Sequence, residues 1–104
     1  MKILFDQGTP APLRHTLQEH TVTTAYELGW AALDNGELLA AAESVFDALV
    51  TTDQNLRYQQ SLAGRRLAIL VLPTTNWPEL RAHEAQIVAA INTLRPGEIV
   101  ELKI

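Results

Sequence analysis

The run Leu67-Ala68-Ile69-Leu70-Val71-Leu72 is apolar at every position, with no alternation. A strand with one wet face alternates apolar and polar residues, so a continuous run reads as a strand covered on both faces, as in a parallel sheet. Parallel neighbours cannot be joined by a tight turn and need crossover connections, usually helices. The chain supplies them, with short β-like runs and helical stretches taking turns. Lys2–Phe5 is a short apolar strand. Thr9, as N-cap, and Pro10, at the first helical position, open a helix to about His20 with Leu13 and Leu17 on one face. Thr21–Ala25 is β-branched and reads as a second strand. Tyr26–Trp30 fits neither pattern, with Gly29 near its end.

Asp34 or Asn35 caps the next helix, whose apolar positions are Leu38, Leu39, Ala42, Val45 and Phe46. Ala48–Thr52 reads as strand three, Gln54–Ala63 as a short polar helix or loop, and the 67–72 run as strand four. Asn76 and Glu79 resemble a capping box that opens one long helix, with Leu80, Ile87, Val88, Ile91 and Leu94 facing inward, until Pro96-Gly97 stops it. Ile99–Ile104 alternates, as an edge strand does. The expected fold is therefore three-layer α/β, one domain over residues 1–104, with a mostly parallel sheet in the flavodoxin-like order 2-1-3-4-5.

That order places strands one and three side by side at the topological switch point, the rim where open α/β sheets bind ligands. Both strands run into aspartates, Asp6 and Asp53, and the helix opening at Asn35-Gly36-Glu37 leads into strand three. Each acid has a plain alternative role. Asp6 suits the turn before Gly8-Thr9-Pro10, Asp53 suits a helix cap, and Glu37 suits the first turn of a helix, where the macrodipole favours acids. Together at one rim they would repel one another unless a cation sat among them. Oxygen ligands of this kind suit Mg²⁺, which keeps several of its waters and can activate one against a phosphodiester. Asn55 and Asp34 could assist through water, and Thr51 and Thr52 could hydrogen-bond a phosphate, although β-branched residues also simply favour strands.

Composition narrows the classes further. The chain has 104 residues, no cysteine and 47% hydrophobic residues, enough for one packed core without disulfides, thiol catalysis or Cys-type zinc sites. No apolar run approaches the ~20 residues of a membrane span, and the amino-terminal segment is too short in apolar residues for a signal peptide, so a cytoplasmic location is expected. The net charge of −4 argues against a broad basic nucleic-acid surface, but the charge is lopsided. Residues 1–53 hold eight acids and two bases, and residues 54–104 hold four acids and six bases. Arg57, Arg65 and Arg66 lie in an acid-free stretch, and with Arg14 they are candidate phosphate contacts. The three histidines show no metal-ligand spacing. No phosphate-cradling glycine loop, nucleophile elbow or dinucleotide fingerprint occurs. Tyr26, Trp30, Tyr58 and Trp77 are too scattered for a base-stacking platform, although Tyr58 beside Arg57 could touch a nucleotide.

Phe5-Asp6 followed by Gly8-Thr9-Pro10, then Glu27-Leu28-Gly29-Trp30 with Asn35-Gly36-Glu37-Leu38-Leu39, then Val50-Thr51-Thr52-Asp53-Gln54-Asn55, stand in an order and spacing that resembles small PIN-like proteins over about residues 2–72. The resemblance implies an α/β fold whose acidic rim binds Mg²⁺ or Mn²⁺ and cuts RNA, as in VapC-type toxins, which are held inactive by a cognate antitoxin and often form homodimers. Carried over by position, Asp6, Glu37 and Asp53 match the metal-binding acids, and Asn55 stands where many relatives have a fourth acid. Gln7 replaces a common Glu and Asn35 a common Asp, leaving an amide-rich site.

The expectation is thus a Mg²⁺- or Mn²⁺-dependent endoribonuclease, the toxin of a toxin–antitoxin pair. Asp6, Glu37 and Asp53 would hold metal, Asn55 would position water or substrate, and Arg14, Thr52, Arg57, Arg65 and Arg66 would contact RNA. The alternative is a catalytically weak PIN-like module that binds a protein partner. A phosphoacceptor receiver domain shares the strand order, but here Asp6 is unpaired and Lys103 lies within the last strand.

Overall fold

A computed structural model describes residues 1–56 and 64–104. Its strands are β1 (Lys2–Phe5), β2 (Thr21–Thr24), β3 (Ala48–Thr51), β4 (Ala68–Val71) and β5 (Ile99–Glu101). They form one sheet in the order β2-β1-β3-β4-β5, with every neighbouring pair parallel. The α/β expectation and its strand order hold.

The sheet's two faces are filled by alternate residues of the same strands. Ile3, Phe5, Ala48, Val50, Ala68 and Leu70 point to one side, where Leu13, Leu17, Leu80, Ile87 and Ile91 cover them. Leu4, Leu49, Ile69 and Val71 point to the other, against Leu38, Leu39, Ala42 and Phe46. This two-sided burial is why β4 is apolar throughout. The covering helices are a 3₁₀ segment (Ala11–Leu17), α2 (Trp77–Arg81) and α3 (Glu84–Thr93) on the first face, and α1 (Asn35–Glu43) on the second.

Several element boundaries differ from expectation, each for a local reason. The first helix is 3₁₀ and is capped by Pro10 without a side-chain bond. Thr9 is not the cap, because its hydroxyl lies against Asp6 Oδ1 (2.7 Å) and Val50 O (3.0 Å). α1 starts at Asp34 through a full capping box with Glu37 and ends at Glu43, so Val45 is exposed while Phe46 still packs. The single helix expected after Asn76 is two. The carbonyl of Glu79 accepts the His83 ring N–H at 3.0 Å, and the backbone N–H of His83 turns to Leu80 O. Asn76 caps the first piece by accepting from the N–H of Glu79. β5 pairs as an edge strand but stops at Glu101. The helix or loop expected over Gln54–Ala63 lies largely outside the described residues. Among those described, no helix is long and apolar enough to cross a membrane.

Candidate acidic rim at the strand carboxyl ends

β1 and β3 end side by side at the switch point, with Phe5 opposite Val50. The ladder continues one step further, as the N–H of Asp6 donates to Val50 O at 3.1 Å. Asp6 therefore leaves the sheet beside Thr51, and Asp53 follows two residues later. Asp6 is only 6% exposed. A buried carboxylate needs donors to replace water, and three are present. Its Oδ1 accepts the Gly8 N–H (3.2 Å) and the Thr9 hydroxyl (2.7 Å), and its Oδ2 accepts the Thr51 hydroxyl (2.5 Å).

Thr51 links the two aspartates. It is 1% exposed, and its Oγ1 both donates to Asp6 and accepts the N–H of Asp53 at 3.1 Å. One side-chain oxygen thus links the Asp6 carboxylate to the backbone of Asp53. Thr52 takes the adjacent rim position, close above Gly8. A Cβ on Gly8 would stand 2.6 Å from the Thr52 Oγ1, nearer than such atoms approach, so residue eight must lack a side chain for Thr52 to lie where it does.

α1 brings one side-chain amide to Asp53, and the chain just after that residue supplies a backbone donor. The Asn35 Nδ2 donates to Asp53 Oδ2 (2.5 Å), and the Asn55 N–H donates to Asp53 Oδ1 (2.9 Å). Glu37 is positioned differently from a third metal ligand. It is exposed, and its Oε1 accepts the N–H of Asp34 at 3.1 Å in the capping box. Among the described residues, no group of three or more acids or histidines is gathered as a metal-holding set. The rim therefore collects Asp6, Asp53, Thr51, Thr52, Asn35 and the Asn55 backbone, while the Glu37 carboxylate closes a helix end.

The described candidate phosphate contacts are engaged elsewhere or with other partners. Arg14 reaches the same end of the sheet, where it pairs with Glu27 beyond the end of β2. Arg65 and Arg66 precede β4, at the opposite end of the strands, where Glu43 takes the Arg66 N–H (2.7 Å) and stands 4.0 Å from the Arg65 guanidinium. Arg57 and Tyr58 lie outside the described residues.

Residues 24–30 are a tightly closed turn at the same rim. Thr24 and Glu27 bond reciprocally: the Glu27 N–H donates to the Thr24 hydroxyl (3.2 Å), and the Thr24 N–H donates to Glu27 Oε1 (2.8 Å). Gly29, at φ +73°, closes the other end, with its N–H on Tyr26 O (3.1 Å) and the Trp30 N–H on Ala25 O (2.8 Å). These are the two bonds of a Schellman motif. The Thr24 N–H, and next to it the Arg14 guanidinium, hold the Glu27 carboxyl below the usual carboxylate range. The sequence signal was present as Thr-x-x-Glu followed two residues later by Gly, and a single turn is too short to show periodicity. No family model, curated protein or solved structure matches the chain.

Proposed function

We propose that this chain is a Mg²⁺- or Mn²⁺-dependent endoribonuclease of the PIN-like kind, acting as the toxin of a toxin–antitoxin pair in the cytoplasm. One observation carries the reading: the neighbouring parallel strands β1 and β3 each lead into an aspartate at the switch-point rim, and Thr51 Oγ1 links the Asp6 carboxylate to the Asp53 backbone N–H.

The donor set suits a hard cation. Mg²⁺ is commonly held by one or two carboxylates, with waters and substrate phosphate filling its octahedron. Each carboxylate oxygen can accept two bonds. Among the described residues, the hydrogen bonds given above occupy one acceptor direction on Asp6 Oδ2 and one on each oxygen of Asp53. Asp6 and Asp53 would hold the ion, which when bound supplies an activated water and charge neutralisation at the phosphodiester. The chain's own residues do the rest. The Thr9, Gly8 and Thr51 donors fix the Asp6 carboxylate, Asn35 fixes that of Asp53, and the Thr52 hydroxyl stands at the rim as a donor to a phosphate oxygen. Partners that follow from this reading are an RNA substrate, a cognate antitoxin and a second copy of the chain.

The test is cleavage of single-stranded RNA by purified protein in Mn²⁺. Wild type should cut, and Asp53→Asn should lower the rate at least about 100-fold, the scale on which removing a group that positions or activates the nucleophile acts. Intact RNA with wild type would overturn the reading. A second reading, a partner-binding module without catalysis, is favoured by the Glu37 capping role and by the enclosure of Asp6. Calorimetry separates the two: binding heat with Mn²⁺ that Asp6→Ala abolishes supports the nuclease, and no heat at millimolar metal supports the module.

A further inference from the structure

β2 and β3 flank β1 on opposite sides, so the chain leaving β2 must pass the end of β1 before α1 returns it to β3. The first part of that passage, residues 24–30, is the capped turn beside Asp6. Its Ala25 N–H donates to Phe5 O at 2.9 Å, one residue before Asp6, and Tyr26 stands one residue beyond that rung. The turn is anchored from below, since Ala25 is buried and Trp30 packs edge-on against Phe46 with ring centroids 6.3 Å apart. Tyr26 is treated in the opposite way. It is 72% exposed, with Leu28 partly exposed in the same turn. A turn fixed by reciprocal side-chain bonds, an ion pair and a Schellman closure thus holds an aromatic ring out at the rim that carries the two aspartates.

The charges near this rim point to what such a ring would meet. Arg14 is committed to Glu27, and Arg65 and Arg66 stand at the far end of the strands. The chain as a whole is acidic, at −4. An RNA phosphate seated over Asp6 and Asp53 would draw little affinity from these three arginines, and base contact would add to it. Aromatic stacking does this without sequence preference, because every base has a π-face.

We propose that Tyr26 is a substrate-contact residue whose ring stacks on a base of single-stranded RNA next to the phosphate at the Asp6–Asp53 rim. This rests on the nuclease reading. The test measures binding of a fluorescent ten-nucleotide single-stranded RNA by anisotropy, with Ca²⁺ in place of Mn²⁺ so that a divalent cation is present while cleavage is withheld, alongside Mn²⁺-dependent cleavage of the same RNA. Tyr26→Ala should weaken binding roughly fivefold or more, and Tyr26→Phe, which keeps the ring, should stay within about twofold of wild type. Circular dichroism should match across the three proteins, since the ring is exposed. Equal binding by wild type and Tyr26→Ala would overturn the Tyr26 role, even while Asp53→Asn still blocks cleavage and the nuclease reading stands. Weakened binding by Tyr26→Ala with no cleavage by wild type would keep the stacking contact and remove the nuclease. Failure of wild type to bind the RNA would remove the Tyr26 role, and failure both to bind and to cleave it would remove the nuclease reading as well.

Discussion

At the scale of single residues, Thr51 has the most consequences. Its hydroxyl is buried, donates to one aspartate and accepts the backbone N–H leading into the other. Thr51→Val keeps shape and β-propensity but strips a donor from a buried carboxylate and leaves the Asp53 N–H without its acceptor. Losing a partner to buried polar groups costs about 1–3 kcal/mol, so urea unfolding of Thr51→Val should show a loss of that size. Thr51→Ser, which keeps the oxygen, should lose less than Thr51→Val. Equal losses in the two variants would mean that the methyl group, and not the bridge, is what matters. Thr9 is the counterpart on the β1 side. As a sequence it reads as a helix cap, and in space its hydroxyl serves Asp6.

Among the elements, the turn at residues 24–30 is tied to pH. Glu27's carboxyl titrates below its ordinary range because the charged form is bonded by the Thr24 N–H and Arg14. A group whose folded pKa is depressed adds stability above its unfolded pKa, and that contribution disappears as pH falls through the folded one. Wild type should therefore be more stable than Glu27→Gln at neutral pH, with the gap closing on acidification below the usual carboxylate range. Denaturant titrations of both proteins at several pH values would measure it, and a gap independent of pH would remove the charged bonds as its cause. Two glycines test backbone conformation in the same way. Gly29 (φ +73°) has open space around it, whereas a Cβ on Gly97 (φ +77°) would lie 2.9 Å from Arg65 O. Gly29→Ala should cost about 1 kcal/mol from the left-handed backbone alone. Gly97→Ala should cost more, because the atom it meets is main chain entering β4. Thermal unfolding of the pair checks the order.

Elements whose identity rests on long-range burial were legible in the sequence. The 67–72 run, the aspartate-ended strands and the strand order all follow from a two-sided sheet, and β3 and β4 are buried at every position. What escaped was decided by one or two hydrogen bonds: the 3₁₀ form of the first helix, the break at His83, and the capped turn before Trp30. Such bonds leave no periodic trace. The candidate site divides along the same line. Asp6 and Asp53 were placed by strand topology, which pattern reveals. Glu37 depended on side-chain direction, and the Asp34 N–H claimed its carboxylate for the helix end.

For the whole molecule, the rim and the core are parts of one construction, since the β1 and β3 residues that end in the two aspartates also fill both hydrophobic clusters. Anything that binds the folded rim and not the unfolded chain must therefore stabilise the entire domain. Mn²⁺ at about ten times its Kd should add roughly 1.4 kcal/mol, which for a domain of this size raises the unfolding midpoint by roughly 5 °C or more. Asp53→Asn should abolish that rise while leaving the metal-free midpoint near that of wild type, because its amide oxygen still accepts one of the two bonds made to Asp53 and one negative charge is gone. Asn35→Asp should do the reverse. It replaces the amide that donates to Asp53 Oδ2 with a third carboxylate, so the metal-free protein should melt lower than wild type, and Mn²⁺ should raise its midpoint by more than it raises wild type's. Calcium-free thermal scans with EDTA and with Mn²⁺ on these three proteins would decide the matter. A midpoint that ignores the ion in all of them would leave the paired aspartates as a purely structural clasp between β1 and β3.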